Sequence, residues 1–379
     1  MTREGPVTHS GPATSSAGAT NGLRLALQRV ERRLDPPQRN ANGVWQERRS
    51  LELALACDAG APGRGEAAPL PDYSSDSVDL AEAVLASLPA ARLASLAEVS
   101  DPQALTEAVA DLVPANAPAA RFALESALFD RAARRAGRPC WQLLAALTHG
   151  AVAGPRGGPV ALGALLPSSE PRAAVSLARH LHGEGVTSFK LKVGPGRLHP
   201  DQDATLAGLR AELGSAVQLR ADANGSLSRD ALWPTLERLG AHGVEFIEEP
   251  LAGAEPEWLA GSPCPLALDE SLRHMDLPLL GRWLALPELR VVVLKPTTLG
   301  GFGACVRLAR EARARGRDAV VSHAFEGPIG WAACAHLALA LGGSRAAGLW
   351  PLAHQSTPWP RIERGWLLPP AAPGLGGDR

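Results

Sequence analysis

The sequence predicts an α/β protein, a modified TIM barrel of the (β/α)7β type joined to a smaller α+β domain. Two observations support this class. Strand-like runs alternate with helical stretches at a regular spacing after about residue 150, and two strand-like runs followed by helices precede them. The chain has 379 residues, which is long enough for two such units.

The first domain is predicted over residues 22–150. Residues 1–21 are rich in Gly, Ser, Thr and Pro and lack the apolar segment of a secretory signal, so we expect a disordered tail there. The strand-like runs LRLALQRV and RSLELALA follow, and then the helical patterns DLAEAVLASL and AARFALESALFDRAARRAG. The last pattern reaches Gly137, and glycine commonly ends helices.

The barrel is predicted over residues 151–350, after a segment rich in glycine and proline, His149 to Pro159. Eight strand-like runs follow in order: VALGALL, SFKLKV, VQLRAD, VEFIEE, PLALDE, RVVVLK, DAVVSH and AAGLW. Helical stretches separate them, but PLAHQSTPWPRIERG, after the eighth run, has three prolines and no helical period. We expect residues 351–379 to form a C-terminal segment that returns to the first domain.

Composition argues against several functional classes. The formal net charge of −1 with mixed signs provides no basic face for nucleic acid, and the apolar run from Trp331 to Leu341 is too short for a bilayer. Five widely spaced cysteines without a C-x-x-C pair argue against a disulfide framework or a thiolate zinc site. We expect a cytoplasmic protein that binds a small molecule and neither nucleic acid nor membrane, while its oligomeric state stays open.

Lysine is rare in this chain. Lys190, Lys192 and Lys295 are three of 38 basic residues, so 35 are arginines, and all three lie at predicted barrel strand ends. In SFKLKV the alternation of side chains puts Phe189 and Leu191 on one face and both lysines on the face that points into the barrel. Because lysine can lose its proton at working pH and arginine cannot, the retained lysines indicate chemistry.

The three strands after SFKLKV each end in a carboxylate: Asp222, then Glu248 or Glu249, then Asp269. A strand-end acid taken alone is most often a helix cap or a solvated turn residue. Parallel barrel strands, however, bring their ends together at one face, where three carboxylates repel each other unless a cation is present. Oxygen ligands alone favour Mg²⁺, with Mn²⁺ as a substitute. Alternation does not decide between Glu248 and Glu249.

The combination of lysines and acids predicts proton-transfer chemistry. A divalent ion that chelates a substrate carboxylate would stabilise the enediolate formed when the neighbouring carbon loses its proton. Lys192, nearest the mouth, is expected to take that proton, because Lys190 and the metal lower its pKa from about 10.4 toward roughly 7 to 8. Lys295, on the opposite side, would stabilise the intermediate or act as an acid or base from the other face.

The motif order K-x-K, D-x-N, E-E-P, D-E-S, K-P on successive strands resembles the muconate-lactonising subgroup of the enolase superfamily. Within it, the chain is most similar to the o-succinylbenzoate synthases of menaquinone biosynthesis. The similarity covers nearly the whole chain from about Gly22. GRGEAAPLPDYS, LRADAN and VLKPTTLGG are the stretches that carry it most clearly.

The resemblance implies roles for the three lysines. Lys192 is the general base and returns the proton to the departing hydroxyl, and Lys190 lowers its pKa. Lys295 stabilises the enediolate and contacts the aromatic product through a cation–π interaction. The implied reaction is the syn dehydration of 2-succinyl-6-hydroxy-2,4-cyclohexadiene-1-carboxylate to 2-succinylbenzoate.

The resemblance also implies a metal site and a cap. The implied ligands of Mg²⁺ are Asp222, Glu248 and Asp269, and the implied orienting residues are Asn224 and Glu249. The first domain and the C-terminal segment would form a capping domain over the barrel mouth. Its loops near Leu34 to Asn42 and near Asp72 would help to enclose the substrate.

The segment after the seventh strand departs from the family pattern. Many of these synthases carry a Ser-rich S-x-x-E-S-type run there, whereas this chain has SHAFEGPIG. Ser322 and Glu326 keep their positions, near the substrate or supporting its site, but His323 and Gly327 differ. We interpret His323 as a structural histidine rather than a second acid or base.

Three alternatives stay open. An N-acylamino-acid racemase or dipeptide epimerase would use Lys192 and Lys295 as opposed bases, although AAGLWPL lacks the D-x-D run typical of dipeptide epimerases. A Schiff-base aldolase would use Lys295 as the nucleophile, which leaves the three strand-end acids unexplained. A barrel that only serves as a scaffold or binding module is disfavoured by the complete set of lysines and acids.

Overall fold

The computed structural model of the chain describes residues 23–40, 43–56, 61–148, 157–167, 170–352, 355 and 360–376. The predicted disordered tail over residues 1–21 lies outside these ranges, and so does most of the predicted segment between the two domains. No helix within the described residues is both long enough and apolar enough to cross a bilayer.

The first domain begins with a long antiparallel hairpin of β1 (Arg24–Asn40) and β2 (Gly43–Ala56), to which β3 (Gly63–Ala67) adds antiparallel to β2. From Leu51 to Leu55 alternate residues of β2 are buried, as expected for a sheet with one covered face. Five helices follow: α1 (Val78–Ala86), α2 (Ala90–Leu96), α3 (Pro102–Leu112), α4 (Pro118–Arg135) and α5 (Cys140–Leu147). The predicted α+β character of this region is confirmed.

Local sequence explains where these helices start and stop. Ser77 accepts a hydrogen bond from Leu80 N and begins α1, and Asp101 accepts one from Ala104 N and begins α3. Gly137, just after α4, has a φ of 62°, which favours glycine over residues with a Cβ. Helix α4 packs against β3 and is buried along nearly its whole length, so it forms the centre of this domain.

After β4 (Val160–Ala161), which belongs to a separate small antiparallel sheet, the barrel strands are β5 (Gly163–Leu166), β6 (Ser188–Lys192), β7 (Gln218–Asp222), β8 (Phe246–Glu248), β9 (Leu266–Leu268), β10 (Leu289–Leu294) and β11 (Asp318–Val321). Strands β5 to β11 form one parallel sheet in sequence order. The predicted eighth strand joins through parallel bridges from Ala347 to Leu162 and from Gly348 to Ser322. These bridges connect the two ends of the sheet, and the predicted barrel class is confirmed.

The helices of this part are α6 (Pro171–Gly183), α7 (Pro200–Leu213), α8 (Arg229–Ala241), α9 (Leu277–Ala285), α10 (Pro296–Leu299), α11 (Phe302–Ala314) and α12 (Pro328–Leu341). The expectation that every strand leads into an α-helix is wrong after β8. That connection contains a 3-10 turn, Pro256–Leu259, because its glycines and prolines interrupt helical hydrogen bonding. Two short strands, β12 (Ile362–Glu363) and β13 (Trp366–Leu367), end the fold, and β13 pairs with β4.

The C-terminal residues contact the first domain. Leu375 N donates to Asp130 Oδ1 at 2.7 Å, and Cys140 N donates to Gly374 O at 2.8 Å. Trp141 Nε1 also donates to the carbonyl of Pro370 at 3.1 Å. These contacts support a C-terminal segment that returns to the first domain, although the domain boundaries themselves stay a prediction.

Two buried carboxylates of the first domain bind helix N-termini of the barrel. Glu66 on β3 accepts hydrogen bonds from Gly327 N and Gly330 N, both at 2.9 Å, where α12 begins. Glu125 on α4 accepts from Phe302 N and Gly303 N, where α11 begins. Because a helix N-terminus has unpaired N–H groups and partial positive charge, both contacts attach the first domain to the barrel.

Candidate active site

A cavity opens at the carboxyl ends of the barrel strands, with an empty volume of about 980 Å³ that includes its open mouth. Residues on or just after six strands, β5 to β8, β10 and β11, line it, together with residues on or after the predicted eighth strand and residues of the first domain. The predicted site residues among its walls are Lys190, Lys192, Asp222, Asn224, Glu248, Lys295 and Ser322. The fold therefore collects most of the predicted site residues in one place.

The two lysines of β6 point into this cavity as the alternation of side chains predicts. Phe189, Leu191 and Val193 are buried on the opposite face of the strand, where they join the apolar core. Strand β6 pairs with β7 so that Lys192 lies opposite Asp222. The strand register thus places an ammonium group next to a carboxylate at the barrel mouth.

Lys190 is held between two carboxylates. Its Nζ lies 2.9 Å from Glu248 Oε2 and 3.2 Å from Asp222 Oδ2. Burial opposes the charged form, but the negative charges of Glu248 and Asp222 outweigh it and raise the pKa of Lys190 above its ordinary value. Lys190 and Lys192 in turn outweigh the burial of Asp222 and lower the pKa of that carboxyl to about 2. Lys190 is therefore a fixed cation in this structure.

Lys192 has different surroundings. Its Nζ donates to Asn224 Oδ1 at 3.3 Å. Burial lowers the pKa of Lys192 from 10.5 to about 8, and the positive charges of Lys190 and Lys295 add to this effect. A lysine with this pKa has a substantial deprotonated fraction near neutral pH, which a general base requires.

Lys295 follows β10 and lies on the other side of the barrel, since β10 is four strands away from β6 in the sheet order. Its buried Nζ donates to the hydroxyl of Tyr73 at 2.6 Å and to the carboxylate of Asp269. Burial lowers the pKa of Lys295, but the charges of Asp269 and Glu270 more than compensate and raise it above the ordinary value. Two lysines with unequal surroundings thus face each other across the cavity.

The structure distinguishes Glu248 from Glu249. The Glu248 side chain lines the cavity, whereas Glu249 accepts hydrogen bonds from Asp269 N at 2.9 Å and from the hydroxyl and N–H of Ser271. Glu249 has a φ of 41° and Asn224 a φ of 45°, which are uncommon values for residues with a Cβ. Such backbone strain concentrates at functional sites, where surrounding contacts maintain it. Glu249 supports the end of β9.

The segment after β11 contributes a wall and a support. Ser322 lines the cavity and donates through Oγ to Gly348 O at 3.1 Å. Glu326 is buried beneath the segment and accepts from Ala324 N at 2.7 Å, so it supports the loop. His323 lines the cavity, and its Nδ1 accepts a hydrogen bond from Phe325 N at 3.1 Å. This bond holds the ring in a defined orientation.

The loops predicted to enclose the substrate lie above the mouth, apart from Ala41 and Asn42, which are outside the described residues. Leu34, Trp45, Leu70 and Tyr73 of the first domain form a small apolar cluster against Phe325 of the barrel. Leu70 and Tyr73 also line the cavity. The first domain therefore forms the upper wall of the cavity.

Sequence reasoning missed Tyr73 and Glu270 as site residues. Tyr73 lies within GRGEAAPLPDYS, and Glu270 directly follows Asp269 in D-E-S, so both were inside motifs already noted. Asn224 Nδ2 donates to Glu270 Oε1 at 3.0 Å, while the buried Oε2 has no hydrogen-bond partner. Burial, followed by the charge of Asp269, raises the pKa of Glu270 to about 8. A buried carboxyl oxygen without a hydrogen-bond partner destabilises the fold, so a ligand that pairs with it would be stabilising.

The donor set fits a hard divalent cation. Within the described residues no three His, Cys, Asp or Glu side chains converge as a ready metal cluster, since lysine ammonium groups contact the acids. Carboxylates nevertheless outnumber ammonium groups by five to three: Asp222, Glu248, Glu249, Asp269 and Glu270 against Lys190, Lys192 and Lys295. Carboxyl oxygen donors gathered in one place suit Mg²⁺.

Family comparisons agree with this geometry. Residues 23–145 match the N-terminal domain of the mandelate racemase and muconate lactonizing enzyme family, and residues 173–378 match the enolase C-terminal domain-like family. The chain belongs to the enolase superfamily. The resemblance to the enolase superfamily, inferred from the strand-end motifs, is thereby confirmed.

Relatives of this enolase superfamily member include enzymes with different reactions. It is 29% identical over 323 residues to an o-succinylbenzoate synthase from Thermosynechococcus vestitus, covering 83% of this chain and 88% of the relative. It is 31% identical over 299 residues to an N-succinylamino acid racemase from Thermus thermophilus, covering 77% and 76%. Both a lyase and an isomerase are thus among its relatives.

A solved structure shares the fold of this superfamily member. A dipeptide epimerase from Methylococcus capsulatus, complexed with Mg and a dipeptide, is 25% identical with a TM-score of 0.75. The match covers 93% of this chain and 98% of the epimerase. This chain therefore shares its overall fold with an epimerase that was solved with Mg and a dipeptide.

Proposed function

We propose that this protein is an o-succinylbenzoate synthase, a carbon–oxygen lyase of menaquinone biosynthesis. It dehydrates 2-succinyl-6-hydroxy-2,4-cyclohexadiene-1-carboxylate to 2-succinylbenzoate with syn stereochemistry. The observation that carries this proposal is the unequal environment of the opposed lysines Lys192 and Lys295. Syn dehydration needs one base that also returns the proton and one standing cation, whereas racemisation in both directions needs each lysine to alternate between neutral base and ammonium acid.

Lys192 acts first as the general base and then as the general acid. Its pKa of about 8 allows the neutral amine to remove the proton next to the substrate carboxylate. The resulting ammonium then protonates the departing hydroxyl on the same face of the ring. Proton removal and return by one group accounts for syn elimination, and Lys190 keeps the pKa of Lys192 low throughout.

Lys295 stabilises the enediolate from the opposite wall as a cation. The product ring is aromatic, so the ammonium of Lys295 also favours the product face through a cation–π contact. The remaining cavity walls suit a carbocyclic ring, since they include the apolar side chains of Leu165, Val293, Trp350 and Leu352.

Asp222, Glu248 and Asp269 are the proposed ligands of Mg²⁺, which Mn²⁺ can replace. When bound, the ion supplies positive charge that offsets the negative charge developing on the substrate carboxylate. Asn224 and Glu249 orient the site through their hydrogen bonds to Lys192 Nζ and to the N–H of Asp269.

The test is an absorbance assay for loss of the cyclohexadiene chromophore by the full-length protein. We expect turnover with Mg²⁺, loss of turnover in EDTA, and recovery when Mg²⁺ is added in excess. Absence of dehydration in the presence of Mg²⁺ would remove the proposal. Retained activity in EDTA, together with borohydride trapping of Lys295, would favour the Schiff-base aldolase.

A second candidate, N-succinylamino acid racemase, is favoured by the 31% identical relative with that activity. It would use Lys192 and Lys295 on opposite faces of the same α-carbon. Incubating each enantiomer of an N-succinylamino acid with the protein in D₂O tests it. Rapid α-deuteration of both enantiomers supports a racemase, whereas rapid dehydration without exchange supports the synthase alone.

A further inference from the structure

We propose that Tyr73 of the first domain is a positioning residue that fixes the ammonium group of Lys295 and thereby favours dehydration over racemisation. This inference rests on the function proposed above, because it concerns the choice between two reactions of the same site. It assigns a role to a side chain outside the barrel.

The contact between Tyr73 and Lys295 is direct and buried. Lys295 Nζ donates to Tyr73 Oη at 2.6 Å, and the same nitrogen lies 4.8 Å from the centre of the Tyr73 ring. Tyr73 is 6% exposed and is the single tyrosine of the chain. Arg273 stacks on the ring with its guanidinium carbon 4.5 Å from the ring centre. Two cations therefore contact the Tyr73 side chain.

Asp269 is the other hydrogen-bond partner of Lys295 Nζ among the described residues. Asp269 is also a proposed ligand of Mg²⁺, so a bound cation competes with Lys295 for its oxygens. The Tyr73 hydroxyl carries no charge and is not a proposed ligand; it donates to Asp269 Oδ1 at 3.4 Å and accepts from Lys295 Nζ, so it contacts both groups. It is therefore the partner that keeps Nζ in place when the carboxylate is shared.

Arg48 anchors the loop that carries Tyr73 and also holds the barrel segment after β11. This buried side chain donates to the carbonyl of Pro69 at 2.8 Å and to that of Ala68. It also donates to Phe325 O at 3.1 Å and to Ala324 O at 3.2 Å. One guanidinium therefore joins two cavity walls, which restricts where Tyr73 can lie.

Two more contacts restrain the same loop. Trp45 Nε1 donates to Pro71 O at 3.2 Å, on the N-terminal side of Tyr73. Asp76 Oδ2 accepts from Ala119 N at 2.9 Å, in the first turn of α4. The loop is thus attached on both sides of Tyr73, and the hydroxyl is preorganised to meet Lys295.

This restraint affects the two reactions differently. As a stabilising cation, Lys295 can stay where Tyr73 holds it. As an opposed base it must leave the hydroxyl and turn its nitrogen toward the α-carbon. Removing the hydroxyl should therefore weaken Lys295 as a stabilising cation and make it more effective as an opposed base.

The test uses full-length Mg²⁺-loaded protein labelled with ¹³C at lysine Cε. The chain has three lysines, so three signals are expected, and Lys295→Arg identifies the Lys295 signal by its loss. Tyr73→Phe keeps the ring and removes the hydroxyl. We expect the Lys295 signal to shift while the Lys190 and Lys192 signals stay in place, which also reports an intact fold.

Ser74→Ala is the matched control, because Ser74 Oγ accepts from Leu70 N within the same loop. An unchanged Lys295 signal in Tyr73→Phe, or an equal shift in Ser74→Ala, overturns the proposal. These readings do not depend on turnover, so absence of dehydration by the wild-type protein removes the proposed function and leaves this comparison intact.

Kinetics provide the second readout. Tyr73→Phe should lower kcat for dehydration about tenfold, the size expected for one hydrogen bond to a charged group, with little change in KM. α-Deuteration of the N-succinylamino acid enantiomer whose proton faces Lys295 should rise relative to its mirror image. Equal changes for both enantiomers would indicate a general loosening of the site and contradict the proposal.

Discussion

Lys190 and Lys192 are two residues apart on one strand, point into the same cavity and have opposite electrostatic surroundings. Lys190 contacts Glu248 and Asp222, which raise its pKa, whereas burial lowers the pKa of Lys192 to about 8. Burial is the main cause of the lowered pKa of Lys192, and the positive charge of Lys190 adds to it. Lys192 is therefore the candidate base, and Lys190 provides the fixed positive charge beside it.

Replacing Lys192 should abolish proton transfer. In Lys192→Arg the side chain keeps its charge but cannot lose its proton at working pH, so we expect kcat to fall about 10³-fold. Lys190→Arg keeps a fixed cation beside Glu248 and Asp222, and it should retain far more activity. Steady-state dehydration assays compare the two variants, and equal losses would contradict the division of roles.

The pH dependence of kcat/KM should report Lys192. The base must be neutral, so we expect kcat/KM to rise with pH through about 8 and then level off. Lys190→Met removes a positive charge that lowers the pKa of Lys192. The rising limb should therefore move to higher pH in this variant. A limb that stays at the same pH would show that Lys190 does not control the base.

Metal removal should destabilise the protein as well as inactivate it. A ligand that binds the folded state alone stabilises it by about 2.7 kcal/mol at 100 times its Kd. We expect Tm to rise with Mg²⁺ or Mn²⁺ and to fall in EDTA. Asp222→Asn should weaken this response, and Asp203→Asn, at the exposed pair with Arg238, serves as the control. An unchanged response in Asp222→Asn would argue against its role as a ligand.

Glu66 should contribute strongly to stability. Glu66→Ala leaves the N–H groups of Gly327 and Gly330 without their buried partner and removes the negative charge beside Arg32, so we expect a loss of about 3 kcal/mol. Glu47→Ala breaks an exposed pair with Arg49 and should cost under about 1 kcal/mol. Urea denaturation measures both. Similar values for the two variants would show that the Glu66 contacts contribute little.

The barrel and its lysines were predictable because they depend on local periodicity. Alternation within SFKLKV orients Lys190 and Lys192, and parallel strands necessarily bring their carboxyl ends together. The same reasoning identified Asp222, Asp269 and Lys295 as neighbours of the mouth. These inferences require the pattern of each strand and the order of strands, both of which are present in the sequence.

Other features depend on three-dimensional contacts that local patterns do not encode. Tyr73 meets Lys295 across 222 residues of chain, so its role emerges only after the two domains are packed. Glu248 and Glu249 occupy the end of a short strand, and the φ of 41° at Glu249 breaks the alternation. The 3-10 turn after β8 likewise depends on the backbone conformation that its glycines and prolines adopt in the folded chain.

Glu66 and Glu125 also determine how the cavity can admit a molecule. Since each is inserted at the start of a barrel helix, swinging the whole first domain aside would strip two buried carboxylates of their partners. Rotation of the whole first domain away from the barrel therefore carries a large free-energy cost. Substrate entry and product release are therefore expected to proceed with both carboxylate contacts intact, through movements smaller than a rotation of the whole first domain.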